Sequence, residues 1–390
     1  MRKLNIAIVH DNLTHLIDGS IISTLRFAEY LKKQGHKLIF ISGKPPNNKK
    51  DIDVYNGIKT YRFVSLPLPK AHNKFLLAFP SVKKLKEIFS KEKIDLVHVM
   101  IPCPSTSVAI KAAKSLGIKV IAHSHSQPEN LFLYLPKPLR KKRIINLYYR
   151  YILWTYRKAD LTICPSKFSE SILKEWEPSL KTVVISNGVN LSRFKKLHKN
   201  KFLTKYKISK KHKRILYVGR IDPEKCIDTL IHAFPIIHSK FKNVEIDIVG
   251  SGNLHKHMED LTHKIGLQNN IKFYGKIPEI DLVSAYNSAD IFVLPSIAEL
   301  EGMVILEAMA CGKPILVANS PDSASIHFVD GNGFLFKPND SEDLAEKALF
   351  LLKDDRLRKK MSKKSLEIIQ NYNINKSCIS LEKVYYSILK

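Results

Sequence analysis

The stretch from Asp290 to Asn319 reads D-I-F-V-L-P-S-I-A-E-L-E-G-M-V-I-L-E-A-M-A-C-G-K-P-I-L-V-A-N. Ile291 to Leu294 is a short apolar run that Pro295-Ser296 ends. Met303 to Ala310 is a run of helix formers that Gly312 and Pro314 stop, and Ile315 to Ala318 is apolar again. Strand, loop, helix, strand is the order this predicts. Glu299 falls in the loop and Glu307 about one and a half turns into the helix, so they cannot share a helical face; the loop must fold back toward the helix start if both acids are to meet one ligand. The backbone N–H groups of Gly302, Met303 and Val304 open that helix with the positive end of its dipole behind them, a setting suited to phosphate. Diphosphate on those N–H groups and sugar hydroxyls on the carboxylates would describe a nucleotide sugar. The same spacing also fits an ordinary α/β unit with two solvated acids.

At 390 residues the chain exceeds what one hydrophobic core usually supports, and two domains are expected. Cys103, Cys164, Cys226, Cys311 and Cys378 are scattered, odd in number and form no C-x-x-C pair. This argues for a reducing compartment and against a thiolate metal site. The basic start Met1-Arg2-Lys3 leads into an apolar run that ends at His10-Asp11, too short for a signal peptide, and no uncharged apolar stretch is long enough to span a membrane. A cytoplasmic protein is the expectation. The net charge of +28 is uneven: residues 1–200 hold 36 Lys+Arg against 13 Asp+Glu, a balance of +23, while 201–390 hold 28 against 23, a balance of +5. The N-terminal half is built to meet something anionic.

Apolar strand-like runs at Leu4–Val9, Leu38–Ser42, Asp95–Met100, Lys119–His123, Leu161–Cys164 and Val183–Ser186 alternate with helical segments, one of which begins near Ser20 after Asp18-Gly19. Such alternation predicts a doubly wound parallel sheet whose ligands sit beyond the carboxyl ends of its strands, putting His10, Asp11, Gly19 and His123–Glu129 on one rim. The turn-rich Ser186-Asn187-Gly188 and a basic, weakly periodic segment over 191–213 read as a hinge. A second series follows at Ile215–Val218, Val244–Val249, Ile271–Tyr274, Ile291–Leu294, Ile315–Ala318 and Gly333–Phe336, and an amphipathic helix runs from about Ile374 to Leu389. The fold class is therefore α/β, two Rossmann-like doubly wound parallel-sheet domains facing across a cleft, with boundaries 1–190, hinge 191–213, 214–372, and a helix over 373–390 returning toward the N-terminal domain.

Arg220 and Lys225 lie on a turn between strand and helix, in Gly219-Arg220-Ile221-Asp222-Pro223-Glu224-Lys225, where a planar fork and a point charge can converge on a diphosphate. A solvated turn is the bland reading. Here the chain resembles glycosyltransferase family 4, retaining enzymes of the GT-B fold. Glu299-x7-Glu307 followed by Ala308-Met309-Ala310-Cys311-Gly312-Lys313-Pro314 looks like the family's donor-site signature, and Gly219-Arg220 with Lys225 looks like its G-R-x-x-x-x-K element, with Cys226 where glycine is usual. Gly19 matches the N-terminal loop glycine that lets backbone approach the donor phosphate. His125-Ser126-Gln127-Pro128-Glu129 is similar to the H-x-Q-P-E of enzymes that glycosylate membrane lipids, among them diacylglycerol α-glucosyl and galactosyltransferases. Asn319-Ser320-Pro321-Asp322-Ser323-Ala324 departs from the family's G-G-x-x-E and looks like the cholesterol α-glucosyltransferase branch; Leu300-Glu301-Gly302 departs from G-F-G.

The segment 131–159 carries Lys137, Arg140, Lys141, Lys142, Arg143, Arg150, Arg157 and Lys158 and no acid, interleaved with Tyr134, Tyr148, Tyr149, Tyr151, Trp154 and Tyr156. A basic aromatic helix suits the plane of a membrane interface. Core-facing rings with solvated charges, or a nucleic-acid groove with stacking aromatics, are the other readings, though no nucleic-acid motif accompanies them. A second basic patch, Lys83, Lys84, Lys86, Lys91 and Lys93, lies near Phe75, Leu76, Leu77, Phe79 and Phe89.

What the resemblance implies is a retaining hexosyltransferase moving a hexose from a nucleotide sugar, UDP-glucose or UDP-galactose favoured, to a membrane lipid hydroxyl, diacylglycerol first and sterol second, on the inner face of the membrane. Arg220 and Lys225 would bind the leaving diphosphate with Gly19, Gly302, Met303 and Val304. Glu307 would hold the ribose, Glu299 the sugar, and His125 the sugar and acceptor. Lys137, Arg140, Lys141, Lys142, Arg143, Tyr148, Tyr149, Arg150 and Trp154 would meet the acceptor and membrane. In the family's front-face route the departing phosphate takes the acceptor proton, and the elements that carry the resemblance contain no Asp-x-Asp, so no metal and no cofactor beyond the co-substrate is expected. The alternatives are a family 4 enzyme acting on a lipopolysaccharide or polysaccharide intermediate, and a catalytically silent nucleotide-sugar binder recruited to membranes.

Overall fold

Runs such as Ile291–Leu294 and Ile315–Ala318 have no polar face, so they are stable only with both faces covered, which is the condition of a parallel sheet between helices. The computed structural model describes residues 2–14, 18–68, 75–129, 133, 142–197, 201–209 and 211–390. It divides into two compact units, residues 1–187 with 374–390, and residues 188–373.

The first unit holds an eight-stranded sheet in the order Thr182–Val184, Leu161–Cys164, Lys119–His123, Leu96–Val99, Asn5–Val9, Lys37–Gly43, Ile58–Phe63, Ile52–Tyr55. All neighbours are parallel except the last pair. That pair is a hairpin turning at Asn56-Gly57, both in the left-handed region at φ 49° and 71°, the conformation that a two-residue type I′ turn needs. The sequence carries the Asn-Gly signal, but the expected strands did not include this hairpin. The helix Ile374–Ile388 belongs to this unit. Its Leu381 and Tyr385 are fully buried, and Glu382 accepts hydrogen bonds from Tyr30 at 3.3 Å and, through Oε1, meets His36 Nε2 at 3.0 Å.

The second unit is a six-stranded, all-parallel sheet in the order Ile271–Gly275, Val244–Val249, Lys213–Val218, Ile291–Leu294, Ile315–Ala318, Gly333–Phe336. Glu245 and Asp247 alternate with apolar residues in a strand whose six residues are all buried. Arg214 on the adjacent strand satisfies them, donating to both oxygens of Asp247 at 2.5 Å and to Glu245 at 2.8 Å. The segment read as a hinge, 191–213, is part of this unit. Phe194, Phe202 and Ile208 are in its core, because apolar residues spaced through a basic segment are enough to anchor it while Lys195, Lys196, Lys201, Lys205, Lys207 and Lys211 stay in solvent.

Candidate functional site

The strand Lys213–Val218 ends at Gly219, and the chain passes through Arg220, Ile221 and Asp222 into the short 3₁₀ turn Pro223–Lys225. Several bonds fix the path. Tyr217 donates its hydroxyl to the Arg220 carbonyl at 2.6 Å, Ile221 N–H donates to the Ser251 carbonyl at 3.1 Å, and Asn253 N–H donates to Asp222 Oδ1 at 3.0 Å. The neighbouring Gly250-Ser251-Gly252 loop lies so close that a Cβ on Gly250 would stand 1.8 Å from the Gly219 carbonyl oxygen, so only glycine fits. Arg220 donates from Nη1 to Asp222 Oδ2 at 2.7 Å and from Nη2 to Glu224 Oε1 at 2.5 Å. Both acids are buried while the guanidinium is 30% exposed, so the acids aim the fork from below.

Lys225 Nζ meets Glu299 Oε1 at 2.6 Å, with the two side chains only 12% and 14% exposed. Cys226, which follows, has φ +45°. This left-handed backbone explains why glycine would be at ease there. Ile297 N–H donates to the Glu224 carbonyl at 3.0 Å, tying the loop that carries Glu299 to the cationic turn. On its other side Glu299 N–H donates to the Asp322 carbonyl at 3.3 Å and its carbonyl accepts from Ala324 N–H at 2.8 Å. The unusual Asn319–Ala324 segment is thus the clasp that holds Glu299 in place. Gly302, at φ +82°, caps the helix Met303–Ala310, and a Cβ there would meet Ser325 Oγ at 2.4 Å. Glu307 is buried on this helix and accepts from the Tyr286 hydroxyl at 3.1 Å. Burial first, then the carboxylates of Glu299 and Glu224, push the Tyr217 phenol well up, which places acids from both loops around one ring.

In the first unit, His125 follows the strand Lys119–His123 and is partly exposed at the rim. Burial, then the neighbouring His10, lower its pKa to about 3 against the opposing charge of Asp18, so the imidazole is neutral near pH 7. Asp18 caps the helix Gly19–Lys33 by accepting from Ile21 N–H at 3.0 Å, and His10 Nε2 meets Ser20 Oγ at 2.9 Å. Asp18, which Gly19 follows, and His10 are thus the titratable groups that act on His125. Gly19 stands at the first helical position and not among the glycines of positive φ, so no unusual backbone requires a glycine there.

The helix Lys142–Tyr156 has two faces. Tyr149, Ile152, Leu153 and Tyr156 are buried. Arg143, Leu147, Arg150, Trp154 and Arg157 fall on one exposed stripe at helical spacing, with Leu147 67% and Trp154 49% exposed. Lys142 is exposed beside them, and Lys158 Nζ stands 3.2 Å from the Trp154 ring centre. Tyr149, expected at the membrane, is instead a core residue: its hydroxyl donates to Glu129 at 2.9 Å and its ring stacks on Trp176 at 5.0 Å. Tyr148 is half-buried and stacks on Tyr151 at 6.3 Å. Lys137, Arg140 and Lys141 lie outside the described residues. In the second patch Lys83 and Lys84 are exposed and Phe79 is 48% exposed, but Phe89 and Leu76 belong to the core.

Two family models match the chain, "Glycosyltransferase Family 4" over residues 17–193 and "Glycosyl transferases group 1" over 198–367. An uncharacterized glycosyltransferase of Methanocaldococcus jannaschii is 30% identical over 301 residues, 77% of each chain. The chain belongs to glycosyltransferase family 4. The alpha-monoglucosyldiacylglycerol synthase of Streptococcus pneumoniae is similar to this glycosyltransferase at 24% identity over 82% of the chain and 72% of the synthase. Among solved structures, Anabaena HepE in complex with UDP-glucose superposes with a TM-score of 0.78 at 20% identity, covering 98% of this chain and 100% of that one, which shows the GT-B fold.

For this family 4 enzyme the Lys225–Glu299 pair and the Ile297–Glu224 bond join the cationic turn to the loop that carries Glu299, and Gly302 at the helix opening packs against Ser325, beside the Ala324 that bonds Glu299. The sequence reading overlooked Asp222 and Glu224, which hold Arg220, and the Gly250-Ser251-Gly252 loop packed on it. Their signals were available, an acid at each alternate position of Arg220-x-Asp222-x-Glu224 and a G-x-G directly after a strand. Among the described residues no group of three His, Cys, Asp or Glu is placed to hold a metal ion, and no helix is long and apolar enough to cross a membrane.

Proposed function

We propose that this glycosyltransferase transfers a hexose from UDP-glucose or UDP-galactose to a membrane lipid hydroxyl, diacylglycerol first and a sterol second, with retention at the anomeric carbon. The observation that carries the donor half is the Lys225–Glu299 pair beside the acid-held Arg220: one loop presents cations for a diphosphate, and the adjoining loop presents a carboxylate for the attached sugar. Arg220 and Lys225 neutralise charge growing on the departing diphosphate, aided by the N–H groups of Met303 and Val304. Glu307, buried and already accepting from Tyr286, takes the ribose hydroxyls. Neutral His125 hydrogen-bonds the sugar and orients the acceptor. The C1–O bond to phosphate breaks as the acceptor oxygen bonds to C1 on the same face, and the acceptor proton passes to the departing phosphate oxygen. Side-chain cations thus do what a divalent ion does in other transferases, and the reaction is metal-independent.

The acceptor half rests on the exposed Arg143, Leu147, Arg150, Trp154 stripe, which suits the plane of an anionic inner leaflet and so peripheral attachment there. The similarity to a synthase named for a glucosyl diacylglycerol product supports the lipid, and the HepE complex supports UDP-glucose as donor. The test is to incubate the purified protein with mixed membrane lipids and each labelled nucleotide sugar in turn. A labelled α-glycolipid that survives metal chelation is expected. Label appearing only in a soluble oligosaccharide or a lipopolysaccharide precursor would replace the acceptor, and neither transfer nor donor hydrolysis would leave a silent binder.

A further inference from the structure

Beneath His125 lie two further imidazoles that the proposed chemistry does not use. His98 is on the strand Leu96–Val99 and His123 ends the adjacent parallel strand Lys119–His123. Both are fully buried. The His98 and His123 rings stack at 5.5 Å with an interplanar angle of 12°, and His123 stacks on His125 at 4.1 Å and 17°. At the inner end, His98 Nδ1 meets the Tyr385 hydroxyl at 2.6 Å, on the helix Ile374–Ile388. Phe27 flanks His123 at 5.8 Å. Among the described residues, His98 Nε2, both His123 ring nitrogens and His125 Nε2 are buried without a hydrogen-bond partner. Orphaned ring nitrogens in a core are expensive, and a phenylalanine would fill the same space without that cost, so three in file call for a use.

We infer that His98 and His123 are positioning residues for His125: resting on Tyr385, they form a file of flat rings that fixes the plane of the rim imidazole and keeps it an uncharged hydrogen-bonding group for the sugar. The inference rests on the reading of His125 as a sugar-contacting residue. At 4.1 Å two stacked imidazoles cannot both carry charge in a dry site, and the whole file shares that constraint. The groups that face His125 are His123 below it, His10 from the end of the strand Asn5–Val9, and Asp18 from the cap of Gly19–Lys33; His98 and Tyr385 lie beyond His123, and Tyr148 of the helix Lys142–Tyr156 hydrogen-bonds the adjoining Ser126. Burial outweighs Asp18, the one acid among them, and the pKa values of His98 and His125 both fall to about 3.

The experiment uses the whole chain with His123→Ala and His123→Phe. Two quantities are read, the titration of the His125 ring by NMR without substrate, and the pH profile of kcat/KM for transfer from the nucleotide sugar. Opening the space under His125 to water in His123→Ala should raise its titration midpoint by about one pH unit or more and move the acid limb of kcat/KM up with it. His123→Phe keeps a flat buried face and should hold both close to wild type. His98→Ala, one ring further away, should give the same shifts in smaller size and serves if the first alanine variant does not fold. Unchanged midpoint and acid limb in the alanine variants, or a phenylalanine variant that behaves like alanine, would overturn the inference. A shifted midpoint together with a fully active His125→Ala would leave the ring file standing and remove His125 from sugar contact.

Discussion

Lys225→Met is the substitution that asks most of the donor-site reading. It keeps the aliphatic stem and deletes one charge. A unit charge about 4 Å from the developing phosphate charge, at the effective dielectric of about 20 that suits partly buried sites, is worth about 4 kcal/mol. Removing a single oxyanion donor in enzymes costs about 3–4 kcal/mol. The two routes agree, so kcat/KM should fall about 10²- to 10³-fold, with the loss in kcat because the interaction grows as the phosphate departs. The same substitution strips Glu299 of its partner at 2.6 Å in a pocket where neither side chain is more than 14% exposed, so the protein should also lose about 1–3 kcal/mol of stability. A second variant, Glu299→Gln in the Lys225→Met background, removes the stranded carboxylate. It should restore the urea midpoint without restoring turnover. Steady-state transfer from labelled UDP-glucose and urea unfolding by circular dichroism give the two readouts. Turnover within twofold of wild type for Lys225→Met, or a rise confined to KM, would refute the role assigned to this cation.

The remaining expectations touch other parts of the molecule. Arg143→Gln with Arg150→Gln should cost about 2 kcal/mol of binding to anionic vesicles, about 30-fold, while leaving weak binding to zwitterionic vesicles unchanged, as vesicle sedimentation at fixed salt would show. Arg214→Met leaves Asp247 and Glu245 as buried charges without their guanidinium and should destabilise the second unit by about 3–5 kcal/mol in urea unfolding, part of it recovered by adding Asp247→Asn. Burial raises the Asp11 pKa to about 7 against the bonds it accepts from Ala78 N–H and shares with Ser105. A carboxyl whose folded pKa lies above its unfolded value of 3.8 stabilises below that value and loses the contribution as pH rises through 7, a swing on the order of 4 kcal/mol. Asp11→Asn, which retains an acceptor for Ala78, should therefore gain stability relative to wild type as pH rises from 4 to 8 in thermal unfolding.

Much of the architecture was legible because buried parallel strands write themselves as unbroken apolar runs: Ile291–Leu294, Ile315–Ala318, Gly333–Phe336 and the helix Met303–Ala310 stand where their residues put them. The hairpin Ile52–Phe63 is different. It packs at a sheet edge, its strands mix polar and apolar residues, and only Asn56-Gly57 announces it. On the helix Lys142–Tyr156 composition showed a basic aromatic segment but not which rings face out. Helical phase separates Tyr149 and Tyr156, which are core, from Trp154, which is not, because residues 147, 150 and 154 share a stripe that 149, 152, 153 and 156 oppose. At the donor turn, sequence named the cations and not what aims them. Asp222 and Glu224 look like solvated loop acids until the backbone folds them under Arg220.

The chain leaves the first unit at Asn187 and returns to it only at Ile374. During synthesis, then, the N-terminal sheet emerges long before the helix that fills the groove lined by Tyr30, His36 and His98. Until Glu382 and Tyr385 clear the ribosome, the Tyr30 hydroxyl, His36 Nε2 and His98 Nδ1 lack the partners that the last helix brings them, and the nascent first half must wait, half-assembled, while an entire second domain is translated. A chaperone that dwells on this chain should therefore let go late, after residue 385, rather than when the first strands have paired.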